Sequence, residues 1–138
     1  METGAINYLG IFFASFASHL IGAFWYSPLL FGKPWMAAKG LTEKDMEMSK
    51  AEMGPKYGMS FIGSFLLSFV MAYAHVFLNV SSAIEAITIS VWIFIGFVIP
   101  VLGNAVLFDG KPVKVFWINC GHYLTVLCAV GGILATWN

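Results

Sequence analysis

HLIGAFWYSPLLFGKPWM, residues 19–36, decides what kind of fold this chain adopts. It begins inside an apolar run that starts near Ile6, and it leaves that run through Trp25, Tyr26, Ser27 and Pro28. Amphipathic rings favour the layer where a bilayer meets water, so Trp25, Tyr26 and then Trp35 read as interface anchors. Pro28 biases Ser27 away from helical backbone and stops the run. Ser27 is also placed to cap a short new helix with Pro28 at its first position. Phe31, Pro34, Trp35 and Met36 then describe a segment lying in the interface, with Lys33 and Lys39 among lipid headgroups.

The rest of the chain agrees with a membrane reading. Hydrophobic residues make up 59% of the 138 and charged residues 10%, and mean hydropathy is +0.83. Soluble domains are roughly half apolar and a quarter charged. Four stretches, about 6–26, 57–78, 84–108 and 113–137, are long and apolar enough to cross roughly 30 Å of hydrocarbon. The expected fold is therefore all-α: one transmembrane domain over residues 1–138, a four-helix bundle with a short helical connection over residues 27–56. The first run carries Glu2 ahead of it and no lysine, and it is too long for a cleaved signal peptide.

All seven basic residues are lysines: five lie between the first two spans, and Lys111 and Lys114 lie between the last two. The opposite side, Met1 to Ala5 with Asn79 to Ala83 and Asn138, holds none. The positive-inside rule then puts both termini outside a bacterial-type plasma membrane. Lys33, Lys39, Lys111 and Lys114 are candidate headgroup contacts. The net charge of zero and the absence of a basic patch exclude a nucleic-acid surface. Within the connection, residues 40–55 read as one linker helix, with Thr42 as its N-cap, Met46, Ser49 or Lys50, and Met53 along one side, and Gly54-Pro55 as its stop.

GLTEKDM (residues 40–46), NCGHYLTVL (119–127) and the opening stretch together carry a resemblance. They resemble the family known as domain of unknown function 1761, over essentially the whole chain. The resemblance implies a small multi-span membrane protein and brings no catalytic residues with it.

Function must then be sought in the polar residues of the spans, which are costly there and face protein or a cavity. At 1.5 Å per residue, His19 lies about 10 Å in from Tyr26, Asn104 about 6 Å from Phe108, and Asn119 and His122 about 9 and 13 Å from Val113. With Tyr26 they form a candidate ligand-binding layer. Two readings stand: hydrogen bonds that fix helix register, or a site for a small molecule, proton or ion with His19 and His122 as titrating members. Two histidines on different helices could also hold a haem axially, though no CxxCH is present for covalent attachment. No metal site and no catalytic residue is expected, since no acid lies at mid-depth and no triad or phosphate loop appears. His75 falls near the outer surface with Asn79, outside this layer.

Packing has its own signals. Ser60, Ser64, Ser68 and Ala72 are spaced four apart, which lets helices approach closely and suggests a homo-oligomer, most simply a two-fold dimer. Pro100 and Gly103 predict a kink near Asn104, with a carbonyl freed near Gly96. Cys120 and Cys128 are eight apart, too far to bridge in a helix, and read as small apolar fillers. The alternative to a binding role is a structural or partner-stabilising subunit.

Overall fold

The computed structural model describes residues 5–47 and 50–137, and only the backbone of Met46, Lys50 and Ala51. The N-terminal four residues, Ser49, Asn138 and the Met46 side chain, which entered the charge and stripe readings, lie outside the described residues. The described chain is helical without strands: α1 (Tyr8–Trp25), α2 (Gly32–Lys39), α3 (Lys50–Phe77), α4 (Ala83–Ile93), α5 (Ile99–Phe108) and α6 (Val113–Thr136). Four helical stretches are long and apolar enough to cross a membrane: Tyr8–Trp25, Glu52–Phe77, Ala83–Phe108 and Val113–Thr136. Their outward surfaces carry large exposed apolar side chains such as Phe16, Ile62, Trp92, Phe97 and Trp117, as lipid-facing helices do.

The helices do not pack in a simple ring. α1 packs against α3 on one side and α6 on the other, and α6 packs in turn against α4. α1 and α6 thus hold the middle, and their side chains Ile11, Ala14, Val126, Leu127, Val130 and Leu134 form the core with Met71 and Phe94. The start of α1 meets the end of α6: Asn7 Nδ2 donates to the Trp137 carbonyl at 2.9 Å, and Phe13 stacks on Trp137 at 4.9 Å. The connections bearing the lysines lie at the opposite end, hereafter the lysine end.

Two helix ends close alike. Gly40 (φ 70) and Asn79 (φ 54) take left-handed backbone, and the following N–H reaches five residues back, to Met36 and His75 respectively. This is the Schellman closure, which favours glycine and tolerates asparagine. Gly110 (φ 66) is also left-handed, but there the Lys111 N–H reaches six residues back, to Ala105.

Three local expectations are corrected. Ser27 does not cap α2; its hydroxyl donates back to the Phe24 carbonyl at 2.7 Å, and α2 begins at Gly32. A tight turn lies between, with the N–H groups of Leu30 and Gly32 both on Ser27 O. Only glycine fits at residue 32, where a Cβ would lie 2.5 Å from the Tyr26 carbonyl oxygen.

The linker is not one helix. Thr42 N–H and Oγ1 both donate to Asp45 Oδ2 at 2.8 Å, and Asp45 N–H returns a bond to Thr42 Oγ1. This reciprocal box closes over the single turn Lys44–Met46, which ends in extended backbone at Glu47. The same bonds hold the Asp45 carboxyl below its ordinary pKa. α3 then starts at Lys50 and passes through Pro55 without stopping. Proline there forfeits only the bond to the Ala51 carbonyl, in opening turns whose residues from Glu52 to Ser60 are exposed.

The third span is irregular earlier than expected. A π-helical turn at Phe94–Val98 separates α4 from α5, and Ile99 N–H bonds five residues back to the Phe94 carbonyl. The wider turn absorbs the disruption around Pro100 one to two turns before Asn104.

Candidate functional site

The small-residue stripe of α3 shapes the site. At the far end from the lysines it packs inside the chain: Ser68, Met71, Ala72 and His75 are buried. The stripe that suggested self-association is therefore used, from Ser64 on, for intrachain packing against α1. Ser18 and Ser64 hydroxyls meet at 3.3 Å, and this contact marks where close packing ends. Nearer the lysine end, Tyr57, Ser60 and Gly63 face the same way but remain exposed. α3 stands off there, and the gap is a cavity of about 640 Å³.

Three helices and one cap line it. α1 contributes Ser18, His19 and Gly22, with Tyr26 just beyond its end; α6 contributes His122, Tyr123 and Val126; α2 closes the lysine end with Trp35 and Met36. His19 and His122, which the sequence placed at one depth, thus line one cavity, and Tyr26 with them. The imidazole of His122 is ringed by aromatics: Tyr26 at 5.2 Å and Tyr123 at 4.8 Å between centroids. Its Nε2 lies where a Gly22 Cβ would come within 3.3 Å, so Gly22 gives it room. His19 meets Tyr57 edge-on at 5.9 Å. In both rings Nδ1 is buried without a hydrogen-bond partner.

Asn119 stands one layer behind. Its Oδ1 accepts from the Tyr26 hydroxyl at 2.6 Å, so Tyr26 presents a ring, not a free donor, to the cavity. Asn104 is not brought in. It is exposed on α5, a helix with no buried residue whose contacts outside its own span are mainly with α6.

The aromatic exit is fastened to protein. Trp25 Nε1 donates to the Ile118 carbonyl at 3.0 Å, and its ring lies 4.7 Å from Phe31 over Gly121. Trp35 packs edge-on to Tyr26 at 5.5 Å and carries Lys39 Nζ 4.4 Å above its ring. Gly121 is one of the small residues of the last span that allow close approach, whereas Gly63, Tyr57 and Tyr123 carried no signal in the sequence as partners here. Periodicity names a face, not the helix that meets it. His75 is only 1% exposed, with both ring nitrogens lacking partners, and it belongs to the packed half of α3 rather than to the cavity. Among the described residues no cluster of His, Cys, Asp or Glu could hold a metal ion, and both cysteines are free.

A family model described as "Protein of unknown function (DUF1761)" matches residues 9–135. Comparisons with curated proteins and with solved structures returned no match.

Proposed function

The chain belongs to that family, DUF1761, and from its own geometry we propose that it is a multi-span membrane protein that binds a small molecule in the cavity between α1, α3 and α6. One observation carries this reading: between the lysine-end half of α3 and the facing helices α1 and α6 lies a space of about 640 Å³ lined by polar groups of three helices. Ligand clefts run from roughly 300 to 1,000 Å³ and combine apolar walls with a few converging polar groups. Simple register-fixing bonds do not need such a space, and the Nδ1 atoms of His19 and His122 make none.

Gly63 supplies the test. It lines the cavity, and a Cβ built there meets nothing within 4 Å. Gly63→Phe should fill the space without straining the packing, leaving thermal stability within about 1 kcal/mol of wild type, as volume-tolerant sites do. Organic extracts of the two purified proteins should then differ by a small molecule held by wild type and absent from the variant, read by mass spectrometry. Identical extracts would contradict the proposal. They would favour the alternative, a partner-stabilising subunit, for which the outward-facing Asn104 among Val101, Leu107 and Phe108 speaks.

The lysine end is proposed to face the cytoplasm of a bacterial-type plasma membrane, with both termini outside. Lys33, Lys39, Lys111 and Lys114 are proposed to meet headgroups there. Lys44→Cys in intact cells should resist a membrane-impermeant thiol reagent, and a cysteine appended after Asn138 should react. The reversed pattern overturns the orientation.

A further inference from the structure

Resting on the cavity reading above, we infer that the occupant is an uncharged, flat-ringed compound bearing carbonyl acceptors, of the quinone class, and that Nε2–H of His19 and of His122 donates to those oxygens. Among the described residues the lining contains no Asp, Glu, Lys or Arg. An ion placed there would find no counter-charge in that lining, in a region where isolated charge is costly. The occupant is therefore neutral.

The imidazoles set the direction of hydrogen bonding. Nδ1 of each ring is buried with no acceptor within reach, while Nε2 is not among the buried unpartnered atoms. An orphaned buried N–H is more costly than an orphaned lone pair. Each neutral ring thus keeps its proton on Nε2 and offers a donor to the open space. Acceptors on the occupant answer two such donors. The Tyr26 hydroxyl is already committed to Asn119, so Tyr26, with Trp35, Tyr57 and Tyr123, supplies flat walls suited to a ring. The open edge runs beside Tyr57, Ser60 and Gly63, and the neighbouring exposed side chains Met59, Ile62 and Leu66 are apolar. A compound dissolved in the bilayer can reach the cavity from that side.

Full-length protein in phosphatidylcholine nanodiscs is dialysed to equilibrium with four probes, each corrected for uptake by empty nanodiscs. They are 2-methyl-1,4-naphthoquinone, 2-methylnaphthalene, 2-naphthoate and a naphthylmethyl trimethylammonium salt. The quinone should bind at least about 10-fold more tightly than the acceptor-free hydrocarbon, and above both ions. His19→Phe and His122→Phe should each weaken quinone binding about 2- to 12-fold, the loss of one hydrogen bond, and leave 2-methylnaphthalene unchanged. Unchanged hydrocarbon binding also shows that the variants fold. His19→Gln and His122→Gln, which keep an N–H donor, should retain most of the affinity. Equal binding of the two neutral probes, or preference for either ion, overturns the acceptor assignment while leaving the cavity as a binding site. Uptake of all four no greater than by Gly63→Phe overturns both.

Discussion

Gly131→Ala is expected to loosen the third span from the last helix and to lower stability by about 1–3 kcal/mol, as overpacking a close helix contact does. A Cβ on Gly131 would lie 2.5 Å from Ser90 Oγ and 3.2 Å from the Ala86 carbonyl oxygen. Neither neighbour yields freely. Ser90 Oγ sits 2.9 Å from both the Ala86 and Leu127 carbonyls, and the Ala86 oxygen belongs to the α4 backbone. The effect is large because the third span has few other holds: in α4 only Ala86 and Ser90 are buried, and in α5 nothing is. Gly132→Ala is the matched control. Nothing lies within 4 Å of a Cβ there, so it should be neutral or gain a few tenths from helix propensity, roughly. Adding Ser90→Ala to Gly131→Ala should recover part of the loss. Reversible unfolding in mixed micelles reads all of these. Gly131→Ala as stable as Gly132→Ala would show that α4 and α6 do not pack as described.

The second large effect lies at the other face of α6. Trp25→Ala should cost about 2–3 kcal/mol, below the roughly 3–5 of a fully buried ring because Trp25 is half-buried. The ring covers Gly121, whose Cβ position is 2.8 Å from Trp25 Cζ2, and Nε1 binds the Ile118 carbonyl. Trp25→Phe, which keeps most of the area and loses the hydrogen bond, should cost about 1 kcal/mol. Gly121→Ala should resemble Trp25→Ala, since it pushes the ring off its seat. These variants are measured by the same unfolding. If Trp25 served only as a headgroup anchor, Gly121→Ala would be silent.

The four spans were legible in the sequence because length and hydropathy suffice to specify them, and the shared depth of His19 and His122 followed from helical rise alone. The partners of each face were not. Ser60, Ser64 and Ser68 announce close packing, but their spacing is the same whether the neighbour is α1 or a second copy. Asn104 matched the histidines in depth and still faces away, since depth carries no information on rotation about the helix axis. Pro55 looked like a stop and is tolerated because it falls in the exposed opening turns of α3, where it forfeits a single backbone bond. Trp25 looked like an interfacial ring. Its indole N–H instead goes to a carbonyl that only the meeting of α1 and α6 brings within reach.

The central claim, an occupied cavity between α1, α3 and α6, is tested most directly by density. An experimental structure should be determined from protein taken from its own membranes and passed through two unrelated detergents. The account predicts the same non-protein density in both, bounded by Ser64, His19, His122 and Trp35. α3 closed against α6 along its whole length, with no space between them, would contradict it.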